Sequence, residues 1–144
     1  TMNIENMLPF LNKQALDELV DSIISGEVDF DVRKALPFLD DDALKKLMEY
    51  AAENPGKINF DGAQCYPFLS EKIMDEVFLK KLDGGVLDES CLPFVSSECL
   101  KKVVEKYCEN SDLDVNIDAL YYFMDEDDVS EIFRAYLKRH KKTN

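Results

Sequence analysis

Apolar positions along the chain fall in a three-four rhythm that starts over roughly every 28 residues. In residues 15–24 the apolar set is Ala15, Leu16, Leu19, Val20, Ile23 and Ile24. In residues 43–52 it is Ala43, Leu44, Leu47, Met48, Ala51 and Ala52, and in residues 99–108 Cys99, Leu100, Val103, Val104, Tyr107 and Cys108. Such spacing places one wide apolar stripe on a helix of three to four turns. Just upstream of each stripe lies a corner. Leu-Pro-Phe occurs at 8–10, 36–38 and 92–94, Tyr-Pro-Phe at 66–68, and Tyr-Tyr-Phe at 121–123. The phenylalanines Phe10, Phe38, Phe68, Phe94 and Phe123 are therefore 28, 30, 26 and 29 residues apart, which marks an internal repeat.

The flanks of the corner explain why a helix begins there. One apolar residue follows each phenylalanine: Leu11, Leu39, Leu69, Val95 or Met124. Next comes Asn12, Asp40, Ser70, Ser96 or Asp125. Each of these is a good N-cap, because its side-chain oxygen can accept from an otherwise unpaired first-turn amide. Four residues beyond each cap stands Leu16, Leu44, Met74, Leu100 or Val129. An apolar residue before the cap packing on one four residues after it forms a hydrophobic staple. Acidic residues crowd the first turns (Asp41, Asp42, Glu71, Glu98, Glu126, Asp127) and lysines come later (Lys45, Lys46, Lys80, Lys101, Lys102, Lys106), an order that suits the helix dipole.

The long helices stop at Gly26, Asn54-Pro55-Gly56, Gly84-Gly85 and Asn110-Ser111. Connectors ending at Asp31, Asp61, Asp88 and Asp118 then read as caps of a second, shorter helix, a part Asn3 takes at the start. The residue before a proline is biased away from helix, so the short helix is expected to end or kink near Pro37 and its equivalents. The expected fold is all-α, an α-solenoid of about five two-helix repeats within a single domain, 1–144. Its units are 3–30, 31–60, 61–87, 88–117 and 118–138, with a basic tail over 138–144. Each pair of helices leaves apolar surface that only a neighbour can cover. The fifth unit diverges, with Tyr121 and Tyr122 for Leu-Pro and Asp128 where others carry Ala, Ile or Cys. It reads as a terminal cap with a polar outer face.

The period, the paired helices and the Leu-Pro-Phe corner resemble tandem two-helix repeats of bacterial proteins, and more loosely HEAT-type α-solenoids of longer unit. The resemblance covers nearly the whole chain and brings no active-site motif. It implies a protein- or peptide-binding scaffold.

Charge narrows the partners. The chain carries 30 acidic against 17 basic residues, a net −13. Residues 1–137 hold all 30 acids and only 13 of the bases, the rest being Lys138-Arg139-His140-Lys141-Lys142. An acidic body repels phosphates, so direct nucleic-acid binding is not expected. A basic protein or peptide partner fits the charge. The alternative reading is an acidic decoy that occupies the nucleic-acid site of a basic protein. The basic tail is expected to ease the negative end of the last helix.

Candidate chemistry is sparse. The apolar runs are too short for a membrane span or a signal-peptide core, and Met2 after Thr1 reads as the native start with Thr1 an expression remnant, so the expected location is cytoplasmic. Cys65, Cys91, Cys99 and Cys108 show no paired-ligand spacing and read as buried thiols of a reduced compartment; no metal or cofactor is expected. The stretch Asp-Leu-Asp-Val-Asn-Ile-Asp at 112–118 begins like a calcium loop but has Ile117 and Phe123 where such a loop needs glycine and glutamate. The body has no histidine to act as a base and no phosphate-cradling loop, so no enzymatic activity and no catalytic residue are expected. Aromatic residues off the stripe anchor interfaces best, which makes Tyr50, Tyr121 and Tyr122 the candidate partner-binding residues.

Overall fold

The computed structural model describes residues 1–109 and 115–142. Among these every regular element is helical and no strand occurs. Six α-helices carry the chain: α1 (Ile4–Met7), α2 (Lys13–Ile24), α3 (Asp41–Glu53), α4 (Glu71–Asp83), α5 (Ser97–Glu109) and α6 (Glu126–Arg139). The corners between them are 3-10 turns, each ending at its phenylalanine: Phe10, Phe38, Phe68, Phe94 and Phe123.

The caps form as their spacing demands. Asn12, Asp40, Ser96 and Asp125 accept from the amides of Ala15, Ala43, Cys99 and Asp128 at 2.8, 2.9, 3.1 and 2.8 Å. The residue before each cap is extended (ψ 142 to 158°), which turns the chain from the corner into the long helix. Leu39 and Leu44 are both buried, as are Leu69 and Met74. At the far end of α4, Gly85 has φ +85° and the Val86 amide reaches back to the Lys81 carbonyl at 2.9 Å. This is the left-handed stop that glycine adopts most cheaply.

Two expectations are corrected. The short segment ends just before the corner at Pro9 (α1 stops at Met7) and at Pro37 (a turn over Val32–Lys34 stops before Leu36), as expected. It is mostly 3-10 rather than α-helical, however, and is not broken at every proline. A 3-10 run passes straight through Pro67 (Gly62–Phe68) and Pro93 (Glu89–Phe94), and Pro9 and Pro37 open 3-10 turns. At Pro9 and Pro37 the ring is accepted because the first helical positions have no internal acceptor for its missing N–H. Caps of the short segments are Asn3, Asp31, Asp61 and Asp88, as expected, but Asp118 is not one: Asn116 Oδ1 accepts from the Asp118 amide at 2.9 Å. Asn116 lies five residues before Tyr121, the same distance as Asn3, Asp31 and Asp61 from Leu8, Leu36 and Tyr66. The expected helix stop at Asn110-Ser111 and the first half of the calcium-like stretch lie outside the described residues.

The chain forms two compact units, Thr1–Ser70 and Glu71–Asn144. In the first, α2 packs on α3 and α3 packs on the corner Gly62–Phe68. Its core is Leu8, Val20, Leu36, Leu44, Leu47 and Tyr66. In the second, α4 packs on the corner Glu89–Phe94 and α5 packs on α6. Here the core is Met74, Phe78, Leu92, Leu100, Val103 and Leu120. Within each unit, then, a long helix is covered by the hairpin next in sequence.

Candidate functional site

Because the helices share one register, equivalent positions can be compared directly. Eight residues past each cap stand Val20, Met48, Phe78, Val104 and Phe133. Val20, Phe78 and Val104 are buried and Met48 is half-buried, but Phe133 is 58% exposed. Leu137, one turn on, is half exposed, whereas its equivalent in α4, Leu82, is buried. The opposite edge of α6 behaves differently. Asp128 and Ile132 are buried, on the side where α6 meets α5.

This overturns the expectation of a polar outer face on the fifth unit. The divergent Asp128 points inward and meets Lys101 Nζ of α5 at 3.3 Å, while the outward stripe is apolar. Lys101 is raised above the ordinary lysine range by its hydrogen bond to Asp128, then by the charges of Asp125 and Asp128. Asp125 in turn sits below the usual carboxylate range because it accepts from the Asp128 backbone amide.

Phe133 lines an open groove of ≈620 Å³ together with Tyr121, Tyr122, Met124, Val129 and Ser130. Tyr122 is 93% exposed. Tyr121 is half-buried, and burial followed by its hydrogen bond to Asp118 pushes its hydroxyl up from the ordinary tyrosine value. Of the three tyrosines singled out by sequence, two therefore meet in one groove. Tyr50 belongs to the other unit, half-buried on α3, and its carbonyl accepts from the Asn54 side chain at 3.0 Å. Sequence reasoning missed Phe133, Tyr136 and Leu137. Phe133 and Leu137 sit at the register positions of the core residues Phe78 and Leu82, and only their place in the last hairpin distinguishes them.

The tail works on a neighbour as well as on its own helix, whose last turn carries Lys138 and Arg139. The Arg139 guanidinium donates to the Tyr107 and Cys108 carbonyls at the end of α5 and lies 4.7 Å over the Tyr107 ring. It thus satisfies carbonyls that the helix cannot pair internally. His140 stacks on Tyr136 with ring centroids 4.0 Å apart, its Nδ1 2.9 Å from the Tyr136 carbonyl. The cysteines are thiols; Cys65, Cys91 and Cys99 are buried and Cys108 half-buried. Burial pushes Cys65 and Cys99 up to about 12.

Among the described residues no group of three or more His, Cys, Asp or Glu is arranged to hold a metal ion, and no helix is long and apolar enough to cross a membrane. The chain matches no family model, no curated protein and no solved structure.

Proposed function

We propose that the chain is a non-catalytic protein- or peptide-binding scaffold, its hairpins continuing one after another as an α-solenoid, with the groove beside α6 as the principal contact surface. The observation that carries this is Phe133, exposed at a register position whose equivalents Phe78 and Val104 are buried. Clustered exposed aromatics of this kind mark interaction sites, since isolated apolar residues on a surface are ordinary but a contiguous patch is not. Tyr122, in the same groove, extends the patch with a ring that gives up little conformational freedom on binding. The non-catalytic reading is supported by the sole histidine, His140, which lies in the tail and is engaged with its own helix. A partner of net positive charge suits the acidic body.

The acidic-decoy reading has less support. It needs a stripe of free carboxylates, whereas Asp17, Asp21, Asp40, Asp83, Asp125 and Asp128 each meet a lysine.

The test is peptide selection by display against the intact chain, followed by calorimetry. Peptides anchored by an apolar side chain are expected to bind, and Phe133→Asp to weaken them by at least about 30-fold, the loss typical of a central hot spot. Tyr50→Ala is expected to change the affinity less than about threefold. No enriched peptide, or peptides indifferent to Phe133→Asp, overturns the proposal.

A further inference from the structure

We infer that the outward face of α6 receives the N-terminal corner of a second copy of this chain, so that copies join head to tail. The inference rests on the reading of that face as a protein-binding surface and names its occupant. It comes from the register of the joints inside the chain. The residue just before each corner's Leu/Tyr-Pro or Tyr-Tyr is Met7, Ala35, Cys65, Cys91 or Leu120. The last four are 0% exposed, and Met7 is 38% exposed. At the joint where this contact is resolved, Cys65 Sγ lies 3.8 Å from the carbonyl of Leu44, four residues past the cap of the preceding long helix. Val129 holds that place on α6, in the groove beside Phe133. Phe10 is the barest of the corner phenylalanines, 86% exposed against 38% for Phe38, 42% for Phe68 and 46% for Phe123. The head of the chain thus bears an uncovered residue of the kind that covers a long helix, and the tail bears an uncovered long helix.

Polar positions agree. At the second joint, Asp41, one residue past its cap, accepts from the amide of the next cap, Ser70, at 2.8 Å. Glu126 stands where Asp41 stands, and Asn12 where Ser70 stands. At the first joint Asp21, nine past its cap, pairs with Lys46, six past the next. The corresponding positions across a head-to-tail joint are Arg134 and Glu18, a pair of the same complementarity with the signs exchanged. Both are exposed. More broadly, residues 132–142 hold five basic and no acidic residues, and residues 3–30 hold six acids and one lysine. Two acidic bodies repel one another at most orientations, so this polarity selects tail against head. A contact between different patches on identical chains is heterologous and propagates.

The experiment is sedimentation of the intact chain over a concentration series up to about 1 mM, the scale on which weak contacts become populated. Wild type is expected to give a ladder of masses above the monomer that shrinks with added salt. Phe133→Asp and Met7→Glu each remove one half of the joint and are each expected to run as monomers. Mixed in equal amounts they are expected to give a dimer and nothing larger, since one keeps an intact tail and the other an intact head. Arg134→Glu is expected to weaken wild-type association by about fivefold or more, and adding Glu18→Arg to restore it. Both apolar sites are exposed, so unchanged circular-dichroism melts verify that the variants fold. A wild type that stays monomeric throughout overturns the inference, as does association that survives Met7→Glu. Neither result touches peptide binding, which calorimetry reads independently.

Discussion

Phe78 on α4 and Phe133 on α6 occupy the same step of the same repeat, yet one is 0% and the other 58% exposed. Their own helices do not differ in any way that accounts for it. Each starts after an apolar residue and a polar capping type, and each places its ring on the stripe four residues beyond a Met or Val. The difference lies in what packs against them: Glu89–Phe94 packs on α4, and among the described residues no corner that follows α6 packs on it. In a repeat of this kind burial belongs to the joint rather than to the helix, so identical patterning yields a core residue at one position and a surface residue at another.

Substitution should separate the two phenylalanines most sharply. Phe78→Ala is expected to destabilise the chain by about 3–5 kcal/mol, the range for a fully buried ring that leaves a cavity. Phe133→Ala should stay within about 0.5 kcal/mol, as exposed positions do. Urea unfolding measures both, and comparable losses would break the comparison.

Caps give a second, smaller contrast. Ser96 accepts from the Cys99 amide, and its hydroxyl and amide both donate to Asp75, in half-buried surroundings. Asn12 makes its cap in the open. Ser96→Ala is expected to cost about 1–2 kcal/mol and Asn12→Ala about 1 kcal/mol or less, both read as shifts in the urea midpoint.

The weakest effect near neutrality involves the thiols. Cys65 and Cys99 are pushed from 9.0 to about 12 by burial, with the negative charge of Asp75 adding to the shift of Cys99. The folded chain therefore keeps these protons at a pH where the unfolded chain has lost them. Stability from this source is fully present below pH 9.0 and falls as pH rises toward 12. Cys65→Ala and Cys99→Ala together should flatten that alkaline limb. An unchanged slope in unfolding measured between these pH values would show that other groups govern it.

How much of this the sequence discloses depends on the range of the forces involved. Local chemistry is legible. The caps Asn12, Asp40, Ser96 and Asp125 arise from oxygen-bearing side chains at one spacing, and the stripe that buries Leu44, Leu47 and Val103 arises from the helical period. The corner is half legible. Proline marks it, but the tighter 3-10 winding that runs through Pro67 and Pro93 and buries Cys65 and Cys91 is specified by no local preference. Asn116 is hidden because Asp118 offers an equally good capping side chain two residues on, and counting back from Tyr121 separates them only once the turn is known. Least legible is the groove. Tyr121 and Tyr122 stand out by breaking the Leu-Pro pattern, but Phe133 matches the core pattern so well that sequence alone assigns it inside.

One consequence concerns synthesis. The hydrogen bond from Arg139 to Tyr107 spans 32 residues, and that from Cys65 to Leu44 spans 21. Partners so near in sequence meet without slow searching, which favours rapid folding. A ribosome adding about 5–20 residues per second delivers one hairpin every few seconds, long enough for it to settle on the one before. Within each unit such a chain can assemble in the order it is translated, a new corner or helix sealing the apolar side of the long helix before it.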